Sequence, residues 1–194
     1  MAKPYTVLSC DPGTKNFATA LVTGRLDKGR LKIKVHGTRL MDSTVRDLKG
    51  NVGFALRNFI SDFDKILDNE GIVPDALYME RFQSRGLGGT TIECVNFMLG
   101  NMVYHYHEDT EVRLLTAATW KNRANKMFDL KSAYKEHNLH RVITCKTEHE
   151  LDAVLIGIYA CYQHFEIEDF WCFREPGSFD KFIPYFLETP QLKV

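Results

Sequence analysis

No CxxC pair occurs in this chain, and its five cysteines (Cys10, Cys94, Cys145, Cys161 and Cys172) are odd in number and widely spaced. That usage argues against a zinc knuckle or a disulfide framework and fits free thiols in a reducing compartment. No apolar run approaches the roughly 18 residues that a membrane-crossing helix needs, and nothing near Met1 has the pattern of a secretory leader. A soluble, cytoplasmic protein with no membrane partner is the expectation. Internal repeats and low-complexity segments are missing too. Net charge is also lacking, since 25 Lys and Arg balance 25 Asp and Glu.

That zero averages three unequal blocks. Residues 1–112 carry 14 basic and 14 acidic side chains, residues 113–146 carry 8 and 2, and residues 147–194 carry 3 and 9. The middle block, with Lys121, Arg123, Lys126, Lys131, Lys135, Arg141 and Lys146, is a local positive patch. A charge run of this kind is either a solvated face or a surface for an anionic partner. At 194 residues and 44% hydrophobic content, the chain is long enough for one domain with a full core and short for two. A single domain over residues 1–194 is expected, with its core at about 5–164 and an extension at 165–194.

The organising stretch is YTVLSCDPGTKN, residues 5–16. A β-branched and aromatic run ends in Asp11 followed at once by Pro-Gly, which places that carboxylate where a strand stops and a turn begins. Residues 17–23 read as a second strand and 24–29 as a polar turn. Leu31, Ile33 and Val35 alternate with Lys32, Lys34 and His36, a third strand with one wet face. From Val52 to Leu67 the apolar spacing becomes helical, and residues 69–74 close that helix. A fourth strand, 75–79, delivers Glu80, and the glycine-rich loop RFQSRGLGG follows, either a connector or a probe for phosphate and base. Thr90 with Glu93 three residues on reads as a capping box for a helix reaching about His107. Residues 112–115 form a fifth strand, and 116–146 lack a strong apolar period. Thr147 and Glu150 give a second capping box, opening a helix that is apolar on nearly every face through Cys161. The order implies a mixed sheet covered by helices. Beyond His164 the chain turns aromatic and acidic, a tail that covers an apolar surface or meets a second subunit.

Asp11 and Glu80 thus end two strands while Asp152 lies in the apolar helix. An unpaired carboxylate there is costly to bury, so Asp152 needs a metal or a cationic partner. Three acids so placed form the layout of a divalent-metal site for phosphoryl transfer, in which two ions roughly 3.5–4 Å apart activate water and neutralise the phosphate. Hard ions such as Mg²⁺ prefer carboxylate oxygens. His149, three positions before Asp152, shares its face and either ligates a metal, moves a proton or stands in water. Glu148 suits the helix dipole and Glu150 the cap. Lys121, just past the fifth strand, is placed to approach a phosphate or is an ordinary surface lysine, and Lys15 is similar.

Four segments, SCDPGTKNFATALV, ALYMERFQSRG, TWK and HELDAVLIGIYA, resemble in order the RuvC-type Holliday-junction resolvases of the RNase H-like superfamily, across roughly residues 5–162. ERFQSRG fits a viral or phage-like branch, which would make the compartment a host cytoplasm. The resemblance implies an RNase H-like five-stranded mixed sheet, a three-strand antiparallel meander plus two parallel strands, flanked by helices. It implies a homodimeric endonuclease that nicks opposing strands of a four-way DNA junction with two Mg²⁺ or Mn²⁺ ions per site. Asp11, Glu80, His149 and Asp152 then hold the metals and Lys121 joins the catalysis. Lys15, Arg81, Arg85, Arg123 and Lys126 contact DNA beside Lys121, and Phe82 is the junction wedge, one residue nearer Glu80 than the family pattern. Two further departures are the neutral net charge and the acidic aromatic tail.

Two other functions stay open on the sequence. One is a flap, branch or RNA-strand nuclease of the same superfamily, using the same metals. The other is an actin-like ATPase or kinase module, whose Asp-Gly-Thr turn also follows a strand. That class needs a second related domain and another phosphate turn, and no second glycine-rich turn follows a suitable strand here.

Overall fold

The computed structural model describes residues 3–27, 30–41, 45, 49–81, 89–106, 110–128, 145 and 147–166. Five strands, β1 (Tyr5–Asp11), β2 (Phe17–Asp27), β3 (Arg30–Met41), β4 (Ala76–Glu80) and β5 (Glu111–Leu115), form one sheet in the order β3-β2-β1-β4-β5. β1, β2 and β3 pair antiparallel, while β1 with β4 and β4 with β5 pair parallel. This is the mixed sheet expected. The helices are α1 (Val52–Glu70), α2 (Thr90–Tyr106), α3 (Ala117–Phe128) and α4 (Glu148–His164).

β1 lies in the middle of the sheet and is buried along its whole length. Its alternation divides the core. Tyr5 and Val7 pack with Ala20, Val22, Tyr78 and the α4 residues Val154 and Ile158. Leu8 and Cys10 point the other way, against Phe59 and Ile60 of α1 and Val95, Met98 and Met102 of α2. Two-sided burial is why YTVLSC carries no charge, its two hydroxyls, Thr6 and Ser9, being hydrogen-bonded. Among the described residues, no helix is long and apolar enough to cross a membrane.

Several elements differ from the sequence reading. β2 runs on to Asp27, through most of the expected turn at 24–29, and Gly24 pairs with Ile33 inside the ladder. Gly24 is there because a helix crosses it: an added Cβ would lie 2.9 Å from both Cβ and Sγ of Cys161. His36, expected on a wet face, is buried. The register slips between Leu21 and Val22, which pair with Gly37 and Val35, so His36 is the extra residue of a bulge and turns inward. There its Nε2 lies 2.8 Å from the Thr23 hydroxyl. Helix α3 occupies a stretch without a clear period; Thr116 opens it, its hydroxyl accepting from the Thr119 N–H at 3.3 Å. Asn51 likewise receives the Phe54 N–H at the start of α1. In α2 the Ile92 and Glu93 N–H groups go to the Gly89 carbonyl, so Thr90 already lies within the first turn instead of capping it. The Thr147–Glu150 capping box is present in both directions.

α4 lies directly on β1 and β2. The Ser9 hydroxyl donates to the carbonyl of Ala153 at 2.6 Å and approaches that of Ala20 at 3.1 Å, joining helix and sheet. One helical turn on, a Cβ at Gly157 would sit 2.7 Å from Cγ2 of Val22 and 2.8 Å from Oγ of Ser9. An Ala there gains up to about 1 kcal/mol of helix propensity, but overpacking a tight core costs roughly 1–3 kcal/mol, so the loss wins. Gly157→Ala should lower the midpoint of chemical unfolding. Gly53→Ala in the first turn of α1, where a methyl meets only ordinary contact at 3.6 Å, should leave the midpoint unchanged or raise it. Equal behaviour of the two variants would show that α4 is free to ride outward.

Candidate active site

Asp11 and Glu80 close β1 and β4, adjacent parallel strands, one position beyond the paired Cys10 and Met79. Both acids therefore leave the sheet at the same end. Glu80 in turn pairs with Leu115, the last residue of β5, and α3 begins two residues later. The capping box starts α4 at this end as well, so His149 and Asp152 in its first turns meet the strand-end acids. β-Pairing and one helix cap thus gather side chains separated by up to 141 positions (Asp11 to Asp152).

Each acid meets its own donor. His149 Nδ1 lies 2.8 Å from Asp11 Oδ2, a contact in which an ionised carboxylate accepts from the ring N–H. Trp120 donates its indole N–H to Glu80 Oε2 at 2.8 Å. The Lys121 ammonium lies 2.7 Å from Asp152 Oδ2, so the cationic partner that Asp152 needs is supplied by the chain. The same ammonium stands 5.0 Å from the centre of the Trp120 ring.

The three acids also sense one another. Burial raises the Asp11 pKa from 3.8 to about 6; the His149 hydrogen bond opposes this, and the charges of Asp152 and Glu80 add to the rise. Burial by itself would lower the Lys121 pKa, yet the hydrogen bond and charge of Asp152, with Glu80 and Asp11 behind it, carry it above its ordinary value. Coupling of this kind reaches further than a ligand contact. Among the described residues, no group of three or more His, Cys, Asp and Glu side chains is gathered tightly enough to hold a metal ion as it stands. The donor chemistry nonetheless fits a hard divalent cation: three carboxylates with one imidazole, and a buried acid whose charge is poorly compensated.

Lys15 and Arg81 are exposed beyond the ends of β1 and β4. Phe82 and Arg85 lie outside the described residues, as do Lys131, Lys135, Arg141 and Lys146 of the basic block and the tail from 167 on. Arg123 and Lys126 belong to α3, with only their backbone described. Sequence reasoning missed Trp120, which is fully buried. The signal was a lone Trp between Thr119 and Lys121 in an otherwise polar basic stretch, an apolar ring with one donor that needs a partner.

A meander of three antiparallel strands extended by two parallel ones, with helices on both faces, is an RNase H-like fold. The chain is similar in structure to RuvC from Thermus thermophilus, with a TM-score of 0.58 and 18% identity over 83% of this chain and 96% of that one. It is also similar to T. thermophilus RuvC in complex with a Holliday junction substrate (TM-score 0.56, 15% identity, 82% and 96% covered) and to the Fowlpox virus resolvase in complex with Holliday junction DNA (0.50, 16%, 82% and 98%). No family model and no curated protein matches the sequence. At these identities the likeness is one of fold.

Because its folded pKa exceeds its unfolded one, Asp11 binds more protons in the folded chain between pH 3.8 and about 6. Its contribution to stability therefore falls as pH rises through that window and stays low above it. Asp11→Asn removes the buried charge. In metal-free buffer at pH 7.5 the variant should melt several degrees higher than the parent, a gain on the order of 2 kcal/mol, and the gain should fade by about pH 4. Absence of any gain at pH 7.5 would show that the carboxylate is well compensated.

Proposed function

We propose that this chain is a divalent-metal-dependent, structure-selective DNA endonuclease that resolves four-way junctions by paired symmetrical nicks. The observation that carries the reading is the meeting of Asp11, Glu80, Asp152, His149 and Lys121 at one end of an RNase H-like sheet. The similarity to RuvC and to a viral resolvase, each solved on junction DNA, supports the choice of substrate.

Asp11, Glu80 and Asp152 would hold the metal with carboxylate oxygens, and His149 with its ring nitrogen. Mg²⁺ or Mn²⁺ bound there, two ions per site, supplies activated water and counter-charge to the scissile phosphate. The chain's own groups do the rest. Lys121 places a permanent positive charge where a phosphate oxygen has to come. His149, bonded to Asp11 through Nδ1, holds a proton at the site's edge. Lys15, Arg81 and, in the basic block, Arg123 and Lys126 would bind backbone phosphates, while Phe82 and Arg85 would probe the junction centre. Phosphate contacts give affinity without sequence information, so binding should weaken steeply with salt.

A four-way junction has two-fold symmetry, and paired nicks need two sites related in the same way. α2 offers a surface for a second copy: Phe97, Gly100 and Tyr104 recur at helical spacing on one exposed face, with Phe97 51% and Tyr104 78% exposed. Two exposed rings on one helix face support an interaction surface there. A homodimer through α2 is therefore part of the proposal.

With Mg²⁺, the wild-type chain should cut a four-way junction into two symmetrically nicked duplexes. Asp11→Asn should abolish cleavage while leaving junction affinity within about twofold, and Lys121→Ala should slow the chemical step roughly 10²-fold with a smaller effect on binding. A gel panel of junction, flap, Y-fork and RNA/DNA hybrid decides the substrate. Faster cutting of flap or hybrid would transfer the assignment to a debranching or RNA-strand nuclease, and tight ATP binding without DNA to a kinase-like module. Phe97→Glu with Tyr104→Glu should give monomers by light scattering and uncouple the two nicks; a persistent dimer would move the interface elsewhere.

A further inference from the structure

The three donors that hold the acids differ in two physical respects, charge and freedom to let go. His149 and Lys121 have side chains 46% and 41% exposed, so either is readily rehydrated once another cation takes over the acid it holds. Trp120 is 0% exposed. An indole has one donor and no acceptor, and a buried N–H left without a partner costs about 1–3 kcal/mol. The bond to Glu80 is therefore hard to break from the tryptophan side. An indole is also neutral. It orients a carboxylate without cancelling the charge that a cation needs, whereas Lys121 on Asp152 offsets that charge.

Trp120 is itself held from three directions. Its ring belongs to the apolar cluster between the sheet and α4, with Tyr78 and Ala153. The Thr116 cap fixes the start of its helix. The strand before that cap is paired with β4 up to Glu80, the residue the indole grips.

We propose that Trp120 is a positioning residue that fixes Glu80 before any metal arrives, so that Glu80 is the preset ligand around which the cation site assembles. Asp152 and Asp11 then become available as Lys121 and His149 give up these two contacts while staying at the site. The proposal rests on the metal-nuclease reading and adds an order to its site: one acid locked by a buried neutral donor, two acids covered by donors that let go.

Trp120→Phe tests it, because the ring stays and the N–H goes. By calorimetry without DNA, the Mn²⁺ dissociation constant should rise about 10–100-fold, as for the loss of an outer-shell partner. On junctions with Mn²⁺, kcat should fall while KM stays within twofold, and raising Mn²⁺ should restore kcat, a rescue that a loosened core would not give. A second measurement does not depend on that variant: the ¹⁵N-indole resonance of Trp120 in the wild-type protein should be slow to exchange with and without Mg²⁺, and fast in Glu80→Ala. Mn²⁺ affinity and kcat both unchanged in Trp120→Phe, or an indole indifferent to Glu80→Ala, would reduce Trp120 to a packing residue and overturn the proposal alone. A wild-type chain that binds no Mn²⁺ would instead overturn the metal-nuclease reading, and this proposal with it.

Discussion

The closeness of α4 to the central sheet is the constraint on which everything else depends. Ser9 bonds across the interface to Ala153, and Gly157 and Gly24, one on each side, let backbone approach side chain with no room for a methyl. Asp152 and His149 ride on that helix while Asp11 ends the strand beneath it. A helix displaced by the width of one methyl group would carry both away from Asp11 together. Core packing and site geometry are therefore one property of this fold, and the glycines that secure the second are placed by the first. Protein interiors are dense enough to transmit such a shift without absorbing it.

The site works against stability. A carboxylate buried at the end of β1 near two others works against stability at neutral pH, and the chain offsets this with Lys121 and His149 rather than removing the charge. Only one of those donors is a permanent cation. The residual imbalance appears as the raised Asp11 pKa. Unfavourable electrostatics kept in place by a rigid scaffold is the ordinary signature of a site built to receive something.

How much of this was legible depends on what kind of force sets each feature. Asp11 and Glu80 were readable because a strand announces itself locally and a charge at its end breaks the pattern. The Thr147 capping box was readable for the same reason, and it opened α4 where expected. Gly24 misled, because a glycine in a polar stretch looks like a turn; its close contact with Cys161, 137 positions away, is what accounts for a glycine inside β2. His36 misled because a one-residue bulge reverses the alternation that a period-two reading assumes. α3 hid because its helical signal is weak and its purpose is tertiary: Trp120 and Lys121, neighbours in sequence, point to different acids on different elements. Nothing local marks Trp120 as the partner of Glu80.

Net charge was the least informative quantity. A chain of zero formal charge concentrates acids in the site and bases in the block that begins with β5 and α3. An anionic pocket without a cation repels a phosphodiester, however basic its surroundings, and field strength falls with distance over a Debye length of about 10 Å in 0.1 M salt. On the nuclease reading, the basic block would draw DNA to the surface while the pocket itself resists the scissile phosphate until a bound cation reverses its charge. That separation would make binding and cutting distinct events with opposite electrostatic demands. Sequestering Asp152 under Lys121 softens the conflict in the metal-free state. On that reading the lysine would already be beside the phosphate when it gives up the carboxylate.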